Sequence, residues 1–100
     1  EFAVILPNKN EPGAFAIAEQ IRLRIKMLAI PHPRSSVDTC VTISTGLATI
    51  TPHDGESVLD VLREADVALY RAKANGRDQT AFAASHDMVS TDSNDELIVF

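Results

Sequence analysis

Apolar residues recur at helical spacing in the second half of the chain. They fall at positions Val58, Val61, Leu62, Ala65, Ala68, Leu69 and Ala72. The intervals are those of a helix that packs one face against a core. Ser57, with Asp60 three residues later, is typical of a helix N-cap, and Asn75-Gly76 ends the pattern because glycine adopts the left-handed conformation that closes a helix. The pattern predicts a helix near residues 57–75.

A second helical pattern occupies the first third of the chain. Its apolar positions are Ala14, Ile17, Ala18, Ile21, Ile25 and Leu28, and the polar residues Glu19, Arg22 and Lys26 lie on the opposite side. Asn10 is a good N-cap residue, and Glu11 and Pro12 suit a first helical turn. Pro31-His32-Pro33 forbids a continued helix. We therefore predict an amphipathic surface helix near residues 12–29.

Three other segments have the character of strands. The apolar run Phe2–Leu6 fits a strand covered on both faces, and residues 39–50 alternate with a period of two, with a change of phase at Gly46 that suggests a bulge or bend. A short strand is expected near residues 79–82. The order strand, helix, strand, helix, strand would by itself also allow a parallel α/β layout.

The end of the chain changes in composition. The ordered domain is expected to end near Ala83, which gives a domain of residues 1–83 followed by a polar, acidic tail or linker at 84–100. The last four residues, Leu97–Phe100, form a strand-like run. This run is either the first strand of a further domain or an exposed end.

Charge and cysteine content exclude several classes of protein. The net charge of the 100 residues is -5, and four acidic side chains lie after Phe82, where there is no Lys or Arg. The remainder is almost neutral, which argues against DNA or RNA as a partner and against a polybasic membrane patch. A single cysteine, Cys40, forms no internal disulfide. With no secretory signal or long apolar run, a cytoplasmic location is expected, in a free or membrane-anchored parent.

The candidate chemistry lies at the end of the second predicted helix. Lys73 falls in its last turn and Arg77 just beyond the Asn75-Gly76 stop, so an ammonium and a guanidinium can converge on one anion. The alternative is that both cations only complement the negative end of the helix dipole, worth about 0.3–1 kcal/mol. The spacing alone does not decide between the two.

Other common catalytic groups lack partners in the sequence. The three histidines, His32, His53 and His86, have no metal-ligand spacing with Cys40. Ser44 lacks the surroundings of a serine-hydrolase nucleophile, and no glycine-rich phosphate loop is present. For Asp66 and Tyr70 we expect structural roles, with the tyrosine ring in the core and its hydroxyl at the boundary.

Three segments resemble the GGDEF family of diguanylate cyclases. Residues 65–77, ADVALYRAKANGR, are similar to its segment AD-x-ALY-x-AK-x-x-GR(N/D). Residues 41–48, VTISTGLA, resemble its strand (V/T)-T-(I/V)-S-x-G-(V/L)-A. Residues 1–7, EFAVILP, look like the end of the GG(D/E)EF signature and the strand after it. The resemblance covers residues 1–82 and implies a fragment that begins at the fourth residue of the signature.

The resemblance implies a fold and an activity. The expected fold class is α/β (α+β), related to nucleotide cyclases and polymerase palm domains, with a mainly antiparallel central sheet flanked by helices and incomplete at the N-terminus. The parent would condense two GTP into cyclic di-GMP and pyrophosphate as a homodimer attached to sensor or regulatory domains. Lys73 and Arg77 would bind the GTP triphosphate, and Glu1 would belong to the active-site turn.

The metal site is implied outside this chain. Family members use two divalent ions, usually Mg2+, and their ligands lie upstream of Glu1 in the family pattern. The isolated fragment is therefore expected to be inactive. Two alternatives stay open: a non-catalytic GGDEF module that binds GTP or cyclic di-GMP as a regulatory domain, and a packing remnant without a biochemical role.

Overall fold

The computed structural model describes residues 1–35, 38–50, 57–83 and 94–100. Its elements in chain order are β1 (Ala3–Lys9), α1 (Glu11–Met27), β2 (Thr45–Ile50), α2 (Val58–Ala74), β3 (Thr80–Phe82) and β4 (Asn94–Val99). Both predicted helices are confirmed, as are strands at the first and third predicted positions. Neither helix of the described residues has the length and apolar content needed to cross a membrane.

The four strands form one mixed sheet in the order β1-β4-β2-β3. Strand β4 is antiparallel to both of its neighbours, and β2 and β3 are parallel. Two of the three strand pairs are thus antiparallel, and the two helices complete an α+β fold. This agrees with the predicted mainly antiparallel sheet flanked by helices.

The last strand is the largest departure from the sequence prediction. Residues 84–100 were expected to be a tail or linker, but Asn94–Val99 lies inside the sheet, between β1 and β2. Three of its side chains, Leu97, Ile98 and Val99, are at most 5% exposed. Residues 84–93 lie outside the described part of the chain. Leu97–Phe100 was expected to be strand-like, but local patterns do not show its place in this sheet, because its partner β1 is more than ninety residues away, with Ala3 opposite Val99.

Strand β2 is shorter than the predicted strand at residues 39–50. It begins at Thr45, whereas Cys40 forms an isolated antiparallel bridge with Pro31 and the Val41 N–H donates to the Ile30 carbonyl at 2.8 Å. Residues 39–41 therefore pair with the segment that follows α1. The alternating pattern reflected a half-buried segment rather than a strand of the sheet.

One apolar layer packs on each face of the sheet, but the side of β1 that carries Ile5 stays exposed, so the prediction of a strand covered on both faces is wrong. Helix α2 packs on one face with Val61, Ala65 and Leu69 against Ala48 and the side chains of β4. Helix α1 covers the other face. The residues in this second layer are Ala14, Ala18, Leu47 and Ile98, with Phe15 stacked on Phe82 at a centroid distance of 5.2 Å.

Gly46 allows α2 to approach β2 very closely. A Cβ atom at this position would lie 2.2 Å from the Ala65 carbonyl oxygen and 2.5 Å from the Leu69 nitrogen. The pairing of β2 with β4 runs through Gly46 in continuous register. The predicted bulge is therefore wrong, and the glycine is required by the contact between the helix and the strand.

Both predicted N-caps are confirmed. The Asn10 side-chain oxygen accepts from the Gly13 N–H at 2.8 Å, and the Ser57 hydroxyl accepts from the Asp60 N–H at 3.1 Å. The prediction for Tyr70 is wrong, because this side chain is 73% exposed. The buried stripe of α2 is centred on small residues, and Tyr70, one position after Leu69, is rotated away from it by about 100°. Asp66 is also exposed.

A buried carboxyl group lies in the middle of the sheet. Glu96 is fully buried, and its Oε1 accepts a hydrogen bond from the Thr49 hydroxyl at 3.0 Å. Its Oε2 has no hydrogen-bond partner among the described residues. Burial raises the pKa of Glu96 to about 7. The hydrogen bond from Thr49 lowers this pKa, and the negative charges of Glu11 and Asp95 raise it. The group is therefore protonated over much of the acidic range.

Glu96 should make the stability of the chain depend on pH. An acid with a raised pKa in the folded state holds its proton more tightly there, so the free energy of unfolding falls as pH rises from 4.5 to about 7 and then levels off. The expected loss is roughly 3 kcal/mol. Urea unfolding of the chain at several pH values measures it. In Glu96→Gln this pH dependence should disappear, and an unchanged slope would contradict the assignment.

Gly46→Ala should strongly destabilise the fold. The added methyl group meets main-chain atoms of α2 that no side-chain rotation can move, so we expect a loss of about 3 kcal/mol in the free energy of unfolding. Ala16→Gly, on the exposed face of α1, is the control and should cost only about 1 kcal/mol. Equal effects of the two substitutions in urea unfolding would show that the helix and strand can separate at low cost.

Candidate functional site

The end of α2 is closed by a Schellman-type turn. The Arg77 N–H donates to the Ala72 carbonyl at 2.9 Å, across Gly76, which has a φ of 113°. The Gln79 amide then donates to the carbonyls of Asn75 and Arg77, both at 3.0 Å. These bonds satisfy carbonyls that a helix end otherwise leaves without partners. They fix the direction in which the chain leaves α2.

The turn brings the predicted site residues to one cavity. The cavity has a volume of about 320 Å³ and lies between the start of the chain, the end of α2 and the residues preceding β2. Its lining residues are Glu1, Phe2, Thr42, Ile43, Ser44, Lys73, Arg77 and Phe100. The structure thus places Glu1, Lys73 and Arg77 on one cavity. Their roles in binding stay predictions.

Lys73 and Arg77 form a cationic pair that we call the anion clamp. Both residues are exposed, and neither forms an ion pair with a carboxylate of the described residues. Two cations that share a cavity repel each other, and a bound anion relieves that repulsion. The hydroxyl-bearing residues Thr42 and Ser44 line the same cavity and add hydrogen-bond donors. The arrangement suits an anion with several oxygen atoms.

The described residues do not form a metal site. Within the described ranges, no group of three or more His, Cys, Asp or Glu side chains is close enough to hold an ion. His32 is exposed, and His53 and His86 lie outside the described residues. Glu1 supplies a carboxylate to the cavity, but one carboxylate is too few for the oxygen ligands that a hard divalent cation needs.

A second set of charges begins at Asp78, the residue that follows Arg77. The Asp78 carboxylate accepts from Arg22 Nη1 at 2.8 Å and from Lys26 Nζ at 2.6 Å. Arg22 also donates to both Glu19 oxygens, at 2.6 and 3.0 Å, and Glu19 accepts from the Thr80 hydroxyl at 3.1 Å. We call these five residues the α1 network. It links α1 to the segment between α2 and β3.

Hydrogen bonds from cations in the α1 network favour the ionised forms of its two carboxyl groups. Burial alone would raise the pKa of Asp78, but hydrogen bonds from Lys26 and Arg22 hold it below its usual value. The hydrogen bond from Arg22 similarly lowers the pKa of Glu19. The network therefore remains ionised at neutral pH, with its two carboxylates balanced by two cations.

The α1 network is not predicted by the sequence pattern. That pattern places Glu19, Arg22 and Lys26 on a polar side opposite the apolar stripe, whereas all three are partly buried against residues 78–80. Arg22 and Lys26 are four residues apart, so they are neighbours on the helix surface, and this spacing indicates that one acidic residue could bind both. The missing information was which acidic residue would lie opposite them, and that depends on the packing of α1 on the sheet.

Most of the chain is similar in sequence to known proteins. The family model described as "Diguanylate cyclase, GGDEF domain" matches residues 1–79. "Diguanylate cyclase A" of Treponema denticola is 34% identical over 86% of this chain and 22% of its own length. "Diguanylate cyclase" of Vibrio cholerae is 34% identical over 79% of the chain and 23% of its own length.

A further relative is a regulatory protein. "Response regulator PleD" of Caulobacter vibrioides is 37% identical over 77% of the chain and 17% of its own length. The chain spans about a fifth of the length of these curated relatives. No match to the chain was found among solved structures.

Proposed function

Because the chain belongs to the GGDEF family of diguanylate cyclases, we propose that it is part of a parent protein that condenses two GTP into cyclic di-GMP and pyrophosphate. The observation that carries this proposal is the anion clamp, where Lys73 and Arg77 share one cavity with Glu1. Neither cation forms an ion pair with a described carboxylate, and Glu1 alone leaves the cavity lining short of negative charge. A triphosphate supplies the charge that this cavity lacks.

The proposed role of the anion clamp is to bind the β- and γ-phosphates of GTP. Lys73 provides a compact charge on a flexible stem, and Arg77 provides a planar fork that contacts two oxygens at once. Charge-assisted hydrogen bonds of this kind contribute about 1.5–3 kcal/mol each. The same contacts stabilise the negative charge that develops on pyrophosphate as it leaves.

Metal-dependent catalysis is implied by the family, but the described residues do not fit a metal site on their own. We propose that two Mg2+ ions are held by groups of the parent that precede Glu1. Glu1, which lies on the cavity, belongs in this proposal to the active-site turn next to them. This chain therefore supplies the cationic side of the reaction centre.

Assembly and location are also proposals. Cyclic di-GMP is built from two GTP molecules, so two GTP-loaded copies of the domain would face each other in a homodimer. Sensor or regulatory domains would control that encounter, and GTP as substrate requires a cytoplasmic active site. The names of the relatives support an enzyme over a non-catalytic module that binds GTP or cyclic di-GMP.

Replacing either clamp residue should impair GTP use by the parent protein. Lys73→Ala and Arg77→Ala each remove a charge-assisted contact, so kcat/KM for GTP should fall by roughly 10- to 150-fold, equivalent to about 1.5–3 kcal/mol. Steady-state release of pyrophosphate measures this, and raising the salt concentration should reduce the difference.

The matched control is Arg63→Ala. Arg63 lies on the same helix, with its side chain 69% exposed and 3.9 Å from Asp60, so its loss should leave GTP use unchanged. Wild-type kcat/KM in both clamp variants would reject the proposed role. A lower melting temperature with unaltered GTP affinity would instead favour the helix-dipole interpretation.

The 100-residue chain alone should make no cyclic di-GMP. Its described residues offer no metal site, so the attacking hydroxyl is not activated, and the anion clamp acts on the opposite side of the reaction. The test incubates the chain with GTP and Mg2+, separates the products by chromatography, and repeats the assay with the preceding half of the domain present. Product from the chain alone would show that its catalytic groups have been misplaced.

A further inference from the structure

We propose that Asp78 is a positioning residue for the anion clamp, because its ion pairs with α1 keep Arg77 directed to the cavity and free to bind phosphate. This inference rests on the proposed function, since it concerns the same cavity. It adds a residue that lies outside the cavity lining and acts through Arg77.

The backbone around Arg77 needs support from outside the turn. Three consecutive residues, Gly76, Arg77 and Asp78, have positive φ angles of 113°, 63° and 48°. This conformation is unfavourable for a residue with a Cβ, so two such residues in succession need compensating contacts to persist. The Gln79 amide provides one contact by binding the Arg77 carbonyl at 3.0 Å.

The α1 network provides the other support. The two Asp78 oxygens are held by different side chains, Arg22 at 2.8 Å and Lys26 at 2.6 Å. The Asp78 and Arg22 side chains are each 14% exposed. The Arg22–Asp78 pair is therefore screened less than a surface pair, whereas Lys26 is 41% exposed and contributes less. Both pairs bind Asp78. They attach the residue next to Arg77 to a helix on the other side of the sheet.

The same ion pairs prevent a competing interaction. Asp78 follows Arg77 directly, so an unpaired carboxylate there could bind the Arg77 guanidinium and repel an incoming phosphate. Asp78 forms its ion pairs with Arg22 and Lys26 and none with Arg77, and the two cations offset its repulsion of a phosphate. The Thr80 hydroxyl, bound to Glu19 at 3.1 Å, attaches the network again two residues later. Arg77 is thereby left for an external anion.

The test measures binding of inorganic triphosphate to the 100-residue chain by NMR titration. Two variants separate charge from backbone conformation: Asp78→Asn retains a residue that tolerates positive φ, and Asp78→Ala does not. We expect affinity to fall roughly tenfold in Asp78→Ala and about threefold in Asp78→Asn. The shift of the Arg77 amide resonance on binding should diminish in the same order.

A double-mutant cycle with Arg77→Ala distinguishes positioning from general stabilisation. If Asp78 acts through Arg77, its replacement should change triphosphate affinity by less than about twofold in the Arg77→Ala background. Asp38→Asn is the control, because Asp38 lies 3.9 Å from the same Lys26 ammonium but belongs to another segment. The Asp38→Asn variant should bind triphosphate with the affinity of the wild type.

Three results would overturn the inference. Wild-type affinity in both Asp78 variants, with Arg77→Ala weakened, would refute the positioning role and leave the anion clamp intact. An equal loss with and without Arg77 would assign Asp78 to stability alone. No effect of Arg77→Ala itself would remove the clamp and the proposed function together.

Discussion

The main-chain contact between α2 and β2 at Gly46 determines the rest of the structure. Since a Cβ there would lie 2.2 Å from the Ala65 carbonyl oxygen, the helix rests directly on the strand. The buried face of α2 is correspondingly made of small residues, with Ala65, Ala68 and Ala72 fully buried. Lys73 follows the last of these alanines. The packing that holds the helix therefore also sets the height of the anion clamp above the sheet.

Charge is distributed so that the clamp stays available. The carboxylates nearest to it along the α1 network, Glu19 and Asp78, are both bound by Arg22. Lys26 completes the balance. The two carboxylates of this network are already paired, so they do not compete with an external anion for Lys73 and Arg77, and Glu1 is the one carboxylate side chain among the described residues of the cavity lining. The ion pairs of the α1 network stabilise the fold, and the two cations of the anion clamp are left for binding.

Sequence patterns predicted the local structure and missed the long-range pairing. Periodicity and capping residues located both helices, and the Asn75-Gly76 stop placed Lys73 and Arg77 correctly. The run Leu97–Phe100 has the character of a strand, but nothing near residue 97 indicates that β1 is its partner, and the polar residues Asn94, Asp95 and Glu96 obscure the first half of β4. The partners of Asp78 escaped for the same physical reason. An ion pair between segments more than fifty residues apart depends on how α1 packs, which no local pattern contains.

Strand β4 lies in the middle of the sheet, and the residue that follows it, Phe100, lines the cavity of the anion clamp. The family match ends at residue 79, so β4 lies outside it. Within the described residues β1 is paired with β4 and not with β2, and the Phe100 N–H donates to the Phe2 carbonyl at 2.9 Å. Glu1 is therefore held beside the clamp through this strand. Because the same strand carries Glu96, ionisation of that buried carboxyl weakens the element on which the position of Glu1 depends.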